Sequence, residues 1–174
     1  AWSGISELGE GFVVWESNRE GGVWRIWHRR LDGSDERRVS PDEGGREHVC
    51  PAVSPDGTWI AYMSQPKGLG YDDPRAGVQM PLRLVRPDGS GDRPLVPDAR
   101  RITGGDRAVV WIDEHRLHFL DGENRARRVD IRTGTVSNPL LGERGFIPNA
   151  AMTYVFDRHH VHPFDAASGK VRKT

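Results

Sequence analysis

Slid along itself, the 174-residue chain matches its own sequence three times, and this repetition limits the folds open to it more than any single motif does. Pro51-Ala-Val-Ser54-Pro55-Asp56-Gly57-Thr-Trp59-Ile-Ala-Tyr62-Met-Ser64 falls without a gap on Ala108-Val-Val-Trp111-Ile-Asp113-Glu-His115-Arg116-Leu-His118-Phe119-Leu-Asp121, 57 residues on. A shift of 44 lays Trp111 to Asp121 over Val155 to Asp165, and a shift of 47 lays Phe12 to Ser17 over Trp59 to Ser64. Each copy reads as a short apolar run, a turn, a second apolar run and a polar stop.

Four units follow, at about 1–47, 48–105, 106–148 and 149–174, the last incomplete. Strands are expected near 3–7, 12–17, 23–30 and 36–40, then 50–54, 59–64, 82–86 and 93–97. The third unit predicts 108–112, 116–120, 126–132 and 135–141, and the fourth 151–156, 160–164 and 170–173. These runs are rich in β-branched and aromatic residues and end at Gly, Pro, Asp or Asn. The 21 Gly and 12 Pro, unfavourable inside long helices, become punctuation between strands. The expected fold is all-β: a β-propeller of about four four-stranded antiparallel blades, either a partial propeller or part of a larger ring. A two-chain ring or further blades would complete it, because an open stack leaves blade faces uncovered.

Ser54-Pro55-Asp56-Gly57 followed by Trp59-Ile-Ala-Tyr62-Met-Ser64 resembles the TolB-type, WD-like propeller repeat. Ser17-Asn18-Arg19, Trp24-Arg-Ile-Trp27 and Leu31-Asp32-Gly33 supply the downstream half of that pattern in the first unit. The third unit departs from it, with Trp111-Ile-Asp113-Glu114 in place of Ser-Pro-Asp-Gly. The resemblance implies a structural turn at Ser54 in place of a catalytic serine, and a periplasmic or extracellular address. It implies a binding or scaffold module presenting a loop-rich face to a protein, peptide or glycan. Similar propellers also occur as metal-assisted lyases of uronic-acid glycans and as the non-catalytic part of larger hydrolases and peptidases.

Lys and Arg balance Asp and Glu at 25 each, which gives no net field to recruit nucleic acid. The one cysteine excludes an intrachain disulfide, and apolar runs such as Trp59 to Met63 are too short to span a bilayer.

The stretch from Gln65 to Met80 is a long insertion where the first unit has only Asn18 to Gly22, and long loops on regular scaffolds carry binding residues. Tyr71, Asp72, Asp73 and Arg75 offer a stacking ring, two carboxylates and a bidentate donor, with Asn18 and Arg19 on the same face as ligand-binding candidates. His48, by register equivalent to Gly105 and Asn149, is expected at the mouth of a central channel. With Arg46 and Arg107 it forms the catalytic candidate set for the lyase alternative: a base, and cations to neutralise a uronate carboxylate. His160 and His162 share a strand face and are the metal candidates, since His-x-His on a strand can chelate. The residues call for no cofactor of their own, and a divalent cation is what the lyase alternative leaves open.

Overall fold

The computed structural model describes residues 3–9, 11–69, 80–101, 108–142, 144–156, 160–165, 167–168 and 170–172. Among them there is no helix, hence none long and apolar enough to cross a membrane, and every paired strand is antiparallel. Strands β1 (Ser3–Gly9), β2 (Phe12–Ser17), β3 (Arg25–Arg30) and β4 (Arg37–Arg38) form a four-stranded meander. Next come β5 (Arg46–Val53), β6 (Ile60–Pro66), β7 (Met80–Val85), β8 (Arg93–Arg100), β9 (Val109–Trp111), β10 (Arg116–Asp121) and β11 (Ala126–Asp130), hydrogen-bonded into one seven-stranded sheet. A second four-stranded meander follows: β12 (Ile147–Pro148), β13 (Tyr154–Phe156), β14 (Val161–Asp165) and β15 (Lys170–Val171). Among the described residues the sheets do not close on one another into a ring.

Apolar side chains gather between sheets, as in propellers, where each blade buries its faces only against its neighbours. Phe12, Val14 and Ile26 of the first sheet pack with Ile60, Tyr62 and Val85. Met63, Leu82 and Leu84 from the other side of β6–β7 pack with Leu117, Phe119 and Val129. Leu120 and Ala126 turn the opposite way, onto Ile147, Val155 and Phe164. The alternation of Leu117 and Phe119 with Leu120 is the two-residue period of a strand buried on both faces.

Turns repeat as faithfully as strands. The side chains of Asp32, Asp88, Asp130 and Asp165 each accept the backbone N–H two residues on, at 2.8, 2.8, 2.9 and 3.0 Å. In this way one residue type closes the connection between third and fourth strands of every unit. The Ser54 hydroxyl is likewise committed to a turn: it donates to Asp56 Oδ1 at 2.6 Å and accepts the Trp59 N–H at 2.9 Å.

Two expectations are corrected, and one junction is added to what the repeats imply. The second and third units are joined by hydrogen bonds into one sheet, because three-residue β9 pairs only with Leu117 to Phe119. The next positions of β10, Leu120 and Asp121, pair instead with Arg100 and Ala99 at the end of β8, which satisfies backbone groups that would otherwise be buried unpaired. The strand expected at 135–141 reduces to a single bridge, Val129 to Val136, since Pro139 lacks the N–H a ladder needs. Finally, the shift of 44 is not the structural one. Residues 154–156 form the second strand of the last sheet, and the pairs Val129–Val136 and Phe164–Val171 correspond 35 residues apart.

Candidate functional site

A seam of charged and polar side chains runs between the first sheet and β5, and it starts from interruptions in otherwise apolar strands: Glu16 in β2, Arg25 in β3, and Glu47 and His48 in β5. Burying such groups is tolerable only if each finds a partner. Arg25, 4% exposed, donates from Nη1 to the carbonyls of Trp24 and Arg46 at 3.0 and 2.8 Å, and from Nη2 to Asp42 at 3.1 Å. The Glu16 carboxylate accepts the Cys50 N–H at 2.6 Å. Cys50 holds φ +55° within a β-bulge between Val49 and Ala52, so Glu16 takes up an amide that the bulge removes from the ladder.

The structure brings Arg46 and His48 together around Ser64. His48 lies opposite Ser64 in the β5–β6 ladder, while Arg46 donates from Nε to Ser64 Oγ at 2.6 Å and from Nη2 to its carbonyl. The His48 side chain is fully buried, its Nε2 3.4 Å from Glu43 Oε2 and its ring edge-on to Tyr62 at 5.1 Å. Burial and the Arg25 charge, against the pull of Glu43, push His48 down to about 4, so its ring is neutral near pH 7. With Nε2–H turned to Glu43, Nδ1 keeps its lone pair and has no hydrogen-bond partner among the described residues. Deeper in the same seam the Tyr62 hydroxyl donates to Asp92 and accepts from Arg83 Nε at 3.1 Å. Burial and the bond to Asp92 hold that hydroxyl protonated, far above its ordinary range.

The root of the long insertion is built into this seam. Glu47, 4% exposed, accepts the Gly68 N–H at 3.1 Å and Gln65 Nε2 at 3.4 Å, and Gln65 also donates to the Leu69 carbonyl at 3.0 Å. The Lys67 N–H donates to Gly45 O at 2.9 Å. Tyr71, Asp72, Asp73 and Arg75, and likewise Arg107 and Gly105, lie outside the described residues.

Asn18 is half-buried, and its carbonyl accepts the Gly22 N–H at 3.1 Å. Arg19 stacks over Trp27 at 3.4 Å, lies 5.5 Å from the Trp15 ring, and pairs with Glu36 at 2.7 Å. It roofs two indoles and leaves its planar donors at the rim. Asn149 is not equivalent to His48: it caps the β12–β13 turn, its Oδ1 accepting the N–H groups of Thr153 and Tyr154 at 2.9 and 3.0 Å. His160 is exposed beside buried His162, ring centroids 5.7 Å apart, and among the described residues no group of three His, Cys, Asp or Glu converges there or elsewhere. His118 sits on a second strand and His162 on a third, so these two do not correspond. Sequence reasoning missed Glu16, Arg25, Glu43, Glu47 and Gln65; the signal available was an acid or base inside an apolar strand.

No protein-family model and no curated protein sequence matches the chain. Solved structures do. The chain is similar to TolB from Acinetobacter baumannii (15% identity, TM-score 0.61), over 92% of its own length and 40% of that chain. It is similar to the oligogalacturonate lyase of Vibrio parahaemolyticus (14% identity, TM-score 0.56), over 89% of its length and 45% of that chain. It is also similar to a puromycin-hydrolyzing peptidase of Mycobacterium tuberculosis (15% identity, TM-score 0.67), over 99% of its length and 28% of that chain. The chain thus spans less than half the length of each of these proteins. At such low identity the likeness is one of architecture, and the architecture it shows is that of a TolB-type propeller.

Proposed function

We propose that the chain is a run of about four propeller blades acting as a binding or scaffold module, its ring completed by further blades or a second copy. On this reading the Gln65–Met80 loop meets a protein, peptide or glycan, outside the cytoplasm. One observation carries the proposal: two buried polar side chains, Glu47 and Gln65, are spent on fixing the loop's root at Gly68 and Leu69. Buried polar groups given over to holding an insertion in place are expected where its tip must be presented in one orientation. Tyr71 would stack on the ligand, Arg75 with Asp72 and Asp73 would bond it, and Asn18 and Arg19 would flank it.

The test is a glycan and peptide array followed by titration of any hit. Tyr71→Ala and Arg75→Ala should each weaken binding tenfold or more while leaving the unfolding midpoint unchanged. Hits that bind both variants as tightly as the parent would rule out the loop.

A second reading, lyase action on a uronic-acid glycan, draws on the pairing of Arg46 with His48 around Ser64, with Arg107 as the further cation and a divalent ion as helper. It requires unsaturated product from uronic-acid polymers with added Mn²⁺ or Ca²⁺, lost in His48→Ala. The complete burial of His48 favours the binding module.

A further inference from the structure

At the opposite end of the same strands lies a cavity that no step above uses. It has a volume of about 280 Å³ and opens between the β1–β2 turn, the β3–β4 connection and the β7–β8 turn. At roughly 30 Å³ per water it holds the equivalent of about nine waters, the size class of a single sugar or amino acid and the low end of ligand pockets. Its lining combines two rings, Phe12 and His28, with Arg30, Asp35, Arg37 and Asp88.

The His28 ring lies 5.0 Å from that of Phe12 and is 5% exposed. Its Nδ1 is 3.3 Å from the Asp35 carbonyl, an acceptor only, so the proton sits on Nδ1 and Nε2 presents a lone pair. The one hydrogen bond of the ring among the described residues is that at Nδ1, and His28 lines the cavity. Burial holds His28 below its ordinary range, which keeps that lone pair available at neutral pH.

The two arginines differ. Arg37 is engaged, donating from Nη2 to Asp35 and from Nη1 to the Asp88 carbonyl at 3.4 Å. Arg30 is held more loosely: its Nε forms an ion pair with Asp35 Oδ2 at 3.8 Å, beyond hydrogen-bond distance, and its guanidinium makes no other contact with a carboxylate among the described residues. Asp35 itself is held at φ +57°, a left-handed conformation uncommon for a residue with a Cβ. That turn places its carbonyl on His28 and its carboxylate between Arg30 and Arg37.

We propose that this cavity is a binding site for a small hydroxylated carboxylate, a sugar acid or hydroxy acid of about one ring's size. The ligand carboxylate pairs with Arg30, whose fork suits a bidentate partner. A ligand hydroxyl donates to His28 Nε2, and the carbon skeleton lies against the edges of Phe12 and His28. The site is independent of the Gln65–Met80 loop: β7 runs from that loop at Met80 to this cavity beyond Val85.

The test uses gluconate as probe, with sorbitol and acetate carrying each half of its chemistry. Calorimetric titration should show gluconate binding at least tenfold tighter than either, and Arg30→Ala should weaken gluconate at least tenfold while leaving the unfolding midpoint in place, because the Arg30 side chain is largely exposed. In the parent protein, gluconate should shift the His28 ring ¹⁵N resonance assigned to Nε2. Arg29→Ala, one position away on the other strand face, should bind gluconate as the parent does. Gluconate no tighter than acetate or sorbitol, undiminished binding in Arg30→Ala, or an unmoved Nε2 resonance would each overturn the proposal.

Discussion

The junction between the first sheet and β5–β7 is stitched by charge, whereas the junction between β10–β11 and the last sheet is closed by apolar contact and a few imidazoles. In the first, Arg25, Glu16, His48 and the Tyr62–Arg83–Asp92 triad thread a cluster of aliphatic and aromatic side chains. In the second, Leu120, Ile147, Val155 and Phe164 pack around His118, whose Nδ1 has one partner, the Pro148 carbonyl at 3.1 Å. Strand length follows the same division: β5 and β6 have eight and seven residues, β12 and β13 two and three. Long strands fix the positions of polar groups well enough for networks to form; short ones leave little but contact area.

The largest expected effect tests whether that difference is mechanical. Ile60 at the first junction and Ile147 at the last are both about fully buried. Replacing a buried Ile by Ala costs about 2–5 kcal/mol, and the value depends on how far the neighbours can close the hole. Ile60→Ala should fall near the top of that range, because β6 is paired on both sides by β5 and β7. Ile147→Ala should fall near the bottom, because two-residue β12 pairs on one side only and can shift. Urea unfolding of both variants checks the order; equal losses would mean that the two junctions yield alike.

Acid offers a second way to separate the junctions. Burial also pushes His118 down to about 4, against the Pro148 bond, with Arg128 adding to the downward push. Between about 4 and the ordinary 6.5 the unfolded chain binds protons that the folded one refuses, so stability falls as pH drops through that window. One group shifted that far accounts for roughly 3 kcal/mol once the pH is below both values. Glu43 faces His48, whereas among the described residues no carboxylate faces His118, yet both rings are held near 4. His118→Gln and His48→Gln should therefore flatten the loss between pH 6.5 and 4 about equally, read from thermal unfolding across that range; a smaller flattening in His48→Gln would show that Glu43 pairs with the protonated ring and sets the first junction apart.

Most of the first two sheets was legible in the sequence because their signals are local: Asp32-Gly33, Ser54-Pro55-Asp56-Gly57 and Asp88-Gly89 specify turns, and the runs between them alternate. The fourth unit misled for a physical reason. Asp-x-His-x-x-His at Asp113–His118 and Asp157–His162 is a coincidence of letters. The backbone instead follows the Asp turn, which sets Asp130 over Asp165. The pairings within the charged seam were not legible, since Glu16 and Cys50, or Arg25 and Arg46, meet only when separate sheets are packed. His48 was visible as a residue of interest, but its burial behind Glu43 and Tyr62 depends on that same packing.

The smallest expected effect asks whether a shared local device has the same worth on both sides of the molecule. Asp32 and Asp165 make the same bond to the amide two residues on, and Asp32 also accepts the Ser34 hydroxyl at 2.6 Å. Both bonds are exposed to water, so the loss of either is small. In Asp32→Ala that loss falls on a turn whose flanking β3 is paired along all six residues with β2, so the strand persists and only the turn loosens. In Asp165→Ala it falls where β14 and β15 share two registered pairs, Phe164–Val171 and Asp165–Lys170. There the turn is a large part of what keeps the last strand in place. Amide exchange should therefore rise along all of β15 in Asp165→Ala, but remain local to the turn in Asp32→Ala; a confined response in both would show that packing of Phe164 and Val171, and not the turn, holds the final strand.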